Sequence, residues 1–183
     1  LLESIIQGWD YIEKNYGSNV QQKEKQKLEF SKRHLYGIEI HEVLARICKT
    51  NLILHKDGHT NVEGDKSCLA REFDLDRSEN SFDIVVGNPP FGDSIEEGDT
   101  DRLEGNSLSN FDLKKGSKMK AEIAIIERAI DFLKPGGKLG FVVPDGILNN
   151  HSERSNCPQT RRHLLKRAKI LGITSLPDHT FDQ

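Results

Sequence analysis

The sequence predicts an α/β fold, a mainly parallel sheet with helices on both faces, and three observations predict it. Short apolar runs, "LYGIEI", "FDIVVG" and "KLGFVVP", recur along the chain. Between them lie segments whose apolar residues return every three or four positions, the period of a helix buried on one side. Turns rich in Gly and Pro punctuate the alternation. Strands that alternate with helices pair in parallel, and in such sheets the working residues lie just past the carboxyl ends of the strands.

The elements follow in order. From Leu1 to Tyr16 the residues Leu2, Ile5, Ile6, Trp9 and Ile12 make one apolar stripe, a helix closed near Gly17. The polar segment "SNVQQKEKQKLEFSKR" is a surface loop or a loose extra helix. "HLYGIEI" is a short strand, followed by a helix from about His41 to His55 with Val43, Leu44, Ile47, Leu52 and Leu54 available for its inner face. "KDGHTN" is a turn and "VEGD" a brief strand end. Phe82 to Gly87 is a buried strand, and an acidic surface loop rich in Gly and Asn covers residues 92–117. A helix from about Lys118 to Leu133 stops at the turn "KPGG", and "KLGFVVP" is a second buried strand. A basic helix from about Thr160 to Ala168 and a strand "KILGITSL" complete the order.

A chain of 183 residues with 35% hydrophobic content has the size of one ordinary domain, or most of one. Its net charge of −3 gives no global signal for nucleic acid, so any basic surface has to be local. Two asymmetries stand out: six acids against Arg102 between Asp93 and Glu104, and six basic residues without an acid between Arg154 and Lys169. Cys48, Cys68 and Cys157 are too few and too widely spaced for a disulfide framework or a zinc site, which fits a reducing cytoplasm. No apolar run approaches the ~18 residues of a membrane span. His55 and His59 lack a carboxylate or thiol partner at metal spacing, so they read as solvated side chains.

Four strand ends hold the chemistry: Glu39, Asp65, Asn88 and the pair Pro144-Asp145. Proline fixes its own φ and pushes the preceding residue toward an extended conformation, so Asn88-Pro89-Pro90 is a stiff turn whose carbonyls stay free. A side-chain amide oxygen held beside a backbone carbonyl can accept both hydrogens of a planar exocyclic amine, and Phe91 offers a flat face to the ring that carries it. The alternative is a plain strand-terminating turn, with Asn88 capping the backbone and Phe91 filling core. Glu39 suits ribose hydroxyls, or equally a helix cap; Asp65 suits an adenine amino group, or equally an Asx turn.

Together, "LYGIEI", "VEGD", "FDIVVGNPPFGD", "LKPGGKLGFVVPDGIL" and "RRHLLKRAKILGITSLPDHTF" resemble successive motifs of the adenine-N6 DNA methyltransferases. They most resemble the modification (M) subunit of type I restriction-modification systems. The resemblance implies a Rossmann-like fold that uses S-adenosylmethionine, and no metal for methyl transfer. It implies that Glu39 holds the ribose of that cofactor, Ile40 packs against its adenine and Asp65 accepts from the adenine amino group. Asn88, Pro89, Pro90 and Phe91 would bind a target adenine swung out of double-stranded DNA. The specificity subunit and the restriction subunit of a type I complex are the partners it implies, in the cytoplasm and away from membranes.

The family's first strand and glycine-rich loop, which precede a helix like Leu1 to Tyr16, are not in this sequence. The chain is therefore expected to be part of one catalytic domain, with strand edges left unpaired and weak cofactor binding by itself. Two other functions compete: an inactive DNA-binding or assembly remnant of a restriction complex, and an amino-group methyltransferase acting on protein or ribosomal RNA. The basic stretch from Arg154 to Lys169 suits phosphate contact or a solvated helix face.

Overall fold

The computed structural model describes residues 1–55, 61–71, 81–177 and 180. Lys56 to Thr60 of the expected turn, His59 with them, and Phe181 lie outside the described residues. The elements run α1 (Leu2–Asn15), α2 (Val20–His34), β1 (Gly37–Glu39), α3 (Glu42–Leu54), β2 (Val62–Gly64), β3 (Phe82–Gly87), β4 (Ser94–Glu96), α4 (Thr100–Leu103), β5 (Lys118–Lys120), α5 (Ala121–Phe132), β6 (Leu133–Phe141), α6 (Asp145–Asn149) and α7 (Cys157–Arg167). The fold is mixed α/β, as expected, but the strands form pairs: β1 with β2 and β3 with β6, both parallel, and β4 with β5 antiparallel. Among the described residues β1 and β3 thus each keep one unpaired edge.

In the first pair, α3 crosses from β1 to β2. Its buried side carries Ala45 and Leu52, which pack with Ile5 of α1 and Val62 of β2. Gly64 lets α3 lie close, since a Cβ there would come within 2.7 Å of the Ala45 methyl. The expected inner face is therefore wrong apart from Leu52: Val43, Leu44, Ile47 and Leu54 are exposed. Small residues face the sheet because the backbones approach closely. The segment after α1 resolves as the helical alternative. Asn19 caps α2 by accepting from the Gln22 N–H, and Asn61 donates to the Lys32 and Leu35 carbonyls at its far end.

In the second pair β3 is not a buried strand. Ile84 and Val86 are 64% and 69% exposed, because a continuous apolar strand needs cover on both faces and only one is covered here. Likewise β6 is only half-buried; it begins at Leu133 and takes in the whole expected "KPGG" turn, and it meets β3 with an irregularity between Phe82 and Ile84. "KILGITSL" forms no strand, since residues 169–176 are exposed and pair with no described strand.

Residues 92–117 are a folded insertion and not an open loop. Ile95, Leu103, Leu108, Phe111 and Leu113 are buried there and pack with Met119, Ile123 and Ala124. The acids of this segment are neutralised locally: Arg102 lies 3.4 Å from Asp93, Lys114 2.8 Å from Glu97 and Lys66 3.6 Å from Glu104, while Lys118 meets Glu96. The expected helix starts later, at Ala121, because Lys118–Lys120 is taken up by the ladder with β4. α5 is then buried on nearly every side, the usual sign of a central helix. No helix among the described residues is long and apolar enough to cross a membrane.

Two features join the strand pairs. Tyr36, at the entry to β1, meets Phe82, at the entry to β3, edge to face at 5.6 Å, and Phe82 meets Phe132 of α5 at 6.2 Å. Arg128 of α5 donates to the carbonyls of Cys68 and Ala70, beyond β2, at 3.4 Å each.

Candidate active site

Parallel pairing places the predicted residues at carboxyl strand ends, pair by pair. Glu39 stands opposite Gly64, and the Asp65 N–H donates to the Glu39 carbonyl at 3.0 Å, so the two acids are neighbours. Asp65 is exposed and takes φ 64°, a left-handed turn that a short polar side chain tolerates. Ile40, a large apolar side chain, is exposed directly after Glu39. One Glu39 oxygen accepts from the His41 N–H at 2.9 Å, next to the start of α3. The two readings of Glu39 are thus compatible: one oxygen holds the turn and leaves the other for a ligand.

Asn88 follows β3. Gly87 stands opposite Phe141, and a Cβ on Gly87 would come within 2.7 Å of that ring, so glycine is what allows β6 to pass. The Val142 N–H then donates to the Gly87 carbonyl at 3.1 Å, fixing the last peptide before Asn88. Pro89 is buried, whereas Asn88 and Pro90 are exposed. Beyond Phe91, the Asp93 carbonyl accepts from the Ala121 N–H at 2.9 Å, and the β4–β5 ladder begins at Ser94. The turn is held at both ends, by β6 and by the start of α5.

The Asn88 side chain does not cap the turn. The Asn88 amide makes no hydrogen bond to any described residue, and Phe91 is 39% exposed, so it does not fill core. An exposed amide oxygen, proline carbonyls and an exposed ring sit on a stiff turn. This arrangement can receive a flat heterocycle bearing an amino group.

The fourth strand end has a structural part: Pro144 stands before α6, and its carbonyl accepts from the Ile147 N–H at 2.9 Å. Half of the basic stretch is likewise used inside the protein. Arg161 donates to the Ile147 and Asn150 carbonyls at 2.8 and 3.0 Å, Arg162 meets Glu153 at 3.1 Å and Arg167 meets Asp131 at 2.8 Å. Arg154, Lys166 and Lys169 remain exposed.

Of the three buried charged residues of α5, Glu122, Glu127 and Arg128, the last two tie it to other segments and escape the sequence reading. Glu127 accepts from the N–H groups of Asp112 and Leu113 at 2.6 and 3.0 Å, fastening the insertion to the helix. Burial pushes its carboxyl above the usual range, against the pull of those two donors. Arg128 lies 4.8 Å from the Phe132 ring centroid. The available signal was an adjacent Glu and Arg inside the apolar run "AEIAIIERAIDF".

The family model described as N-6 DNA Methylase matches residues 13–183. The chain is 26% identical over 168 residues to the type I restriction enzyme MjaIX methylase subunit of Methanocaldococcus jannaschii, covering 90% of this chain and 28% of that protein. It is 27% identical over 158 residues to the type II restriction enzyme and methyltransferase RM.BcgI of Heyndrickxia coagulans, covering 84% of this chain and 21% of that protein. It is 29% identical over 144 residues to the defense against restriction protein B of Escherichia phage P1, covering 79% of this chain and 5% of that protein. The chain thus spans less than a third of the length of each of these relatives.

Proposed function

The chain belongs to the N-6 DNA methylase family, and from that premise we propose that its protein methylates adenine N6 in double-stranded DNA as the modification subunit of a type I restriction-modification system. One observation carries the reading: the exposed Asn88 amide, without a partner among the described residues, beside the exposed Phe91 ring on a turn held at both ends. A cap would have used the amide, and a core residue would have hidden the ring.

S-adenosylmethionine fits the other strand ends. Two acidic residues on neighbouring strand ends and an exposed Ile40 match a sugar with vicinal hydroxyls beside a flat base carrying an amine. Glu39 would take the ribose hydroxyls, Ile40 the adenine face and Asp65 the adenine amino group. When bound, this group supplies an electrophilic methyl carbon on a sulfonium.

The protein's own residues do the rest. A target adenine must leave the base stack before its N6 can be reached. Its lone pair is delocalised into the ring, which makes N6 a poor nucleophile. The Asn88 amide oxygen and the Pro89 carbonyl accept the two N6 hydrogens and favour a more pyramidal nitrogen, stabilising positive charge as it develops there. Pro90 stiffens the turn, and Phe91 would fix the plane of the ring that carries N6. Arg154, Lys166 and Lys169 are the side chains available for phosphate. Specificity and restriction subunits are the proposed partners, in the cytoplasm.

The test is to incubate the full-length protein, with its specificity subunit, with methyl-labelled S-adenosylmethionine and duplex DNA, and to analyse the nucleosides. Label in N6-methyladenine supports the reading. Label in protein or RNA, or cofactor that is never bound, contradicts it.

A further inference from the structure

The segment after Asp65 is held by side chains from the other half of the chain. Ser67, Leu69 and Ala70 are buried, and the Ser67 carbonyl is used locally by the Ala70 N–H. The next three carbonyls are gripped from outside: Cys68 and Ala70 by Arg128 of α5, and Leu69 by the Asn106 amide of the insertion at 2.7 Å. Arg128 is 8% exposed and lies over Phe132, which in turn touches Phe82 at the entry to the strand that ends at Asn88. The Cys68 thiol, pushed up to about 11 by burial, feels Arg128 as a lowering charge and Glu39 as a raising one, so all three groups share a neighbourhood.

A loop that needed only burial would not draw two polar side chains from two separate elements. Placing a guanidinium there costs desolvation, which hydrogen bonds and ring contact only partly offset. The same two elements also hold the target-side turn, through the Asp93–Ala121 backbone bond and the β4–β5 ladder. One scaffold therefore grips both strand ends.

We infer that Arg128 and Asn106 are positioning residues that hold the Asp65 loop against the scaffold of the Asn88 turn and thereby set the distance between methyl donor and acceptor; this rests on the methyltransferase reading. Neither residue touches the reacting atoms. Both act through the carbonyls of residues 68–70.

The test uses the full-length protein carrying Arg128→Lys or Asn106→Asp, with S-adenosylmethionine affinity, duplex DNA affinity and single-turnover methylation measured on each. Lysine cannot span both carbonyls, and aspartate removes the donor to Leu69 while keeping the acceptor for the Ser107 N–H. Each variant should weaken cofactor binding by roughly tenfold and slow single-turnover methylation at saturating cofactor, with DNA affinity changed less than about twofold. Unchanged cofactor affinity and rate in both variants overturn the inference, as does an equal fall of cofactor affinity, DNA affinity and thermal midpoint. Absence of cofactor binding in the unsubstituted protein would instead remove the methyltransferase reading itself.

Discussion

Asn88 and Phe91 are exposed for a reason that backbone rigidity makes visible. Two prolines fix the backbone of the turn that carries an amide without a partner among the described residues and a ring left 39% exposed. For Phe91 this has a measurable consequence. Phe91→Leu keeps apolar volume but removes the flat face, and should weaken methylation by roughly 10- to 100-fold, the size of one base-stacking contact. Phe91→Tyr should retain most of it. Steady-state kinetics on duplex DNA decide; equal activity of the leucine variant would mean that the ring does not stack on the base.

At the scale of elements, two supports position that turn. Gly87→Ala drives a methyl into the Phe141 ring and should cost roughly 1–3 kcal/mol in denaturant unfolding, by separating β3 from β6. Glu127 ties the insertion to α5 and carries a pH signature. Its folded-state pKa is raised above the ordinary 4.5, so the stability it contributes is complete below that value and is lost as pH rises through the raised one. Glu127→Gln should flatten this decline; an unchanged slope of unfolding free energy against pH assigns the dependence elsewhere.

These elements also show what a sequence makes legible. α1, β1, α3 and β3 could be read because their apolar residues keep a period or follow turn residues. The insertion could not: Ile95, Leu103, Leu108, Phe111 and Leu113 keep neither period, and their core forms only when α5 is laid against them. α2 was ambiguous because most of its residues are polar. "KILGITSL" shows the opposite error, since strand composition needs an adjacent strand to become a strand. Glu39, Asp65, Asn88 and Phe91 were legible because each stands at the end of a readable strand. Arg128 and Asn106 were not, because their partners are backbone carbonyls distant in sequence.

At the scale of the whole molecule, the exposed apolar side chains among the described residues include Val43, Leu44, Ile47, Ile53 and Leu54 on α3, Ile84 and Val86 on β3, and Ile170, Leu171 and Ile173 beyond α7. Exposed apolar area of this kind marks contact surface. As an isolated polypeptide the 183 residues should bind a hydrophobic dye and self-associate, and Val43→Lys with Ile47→Lys should reduce both without changing the circular dichroism. Dye binding unaffected by these charges would place the sticky surface away from α3.

The proposed mechanism separates two sites at two sets of strand ends, donor at Glu39 and Asp65, acceptor at Asn88. Asn88→Ala in the full-length protein, measured for cofactor affinity and for N6-methyladenine formed on duplex DNA, tests that separation most directly. Methyl transfer should fall by at least about 100-fold, while cofactor affinity stays within about twofold of the unsubstituted protein. Equal loss of both, or undiminished transfer, would contradict it.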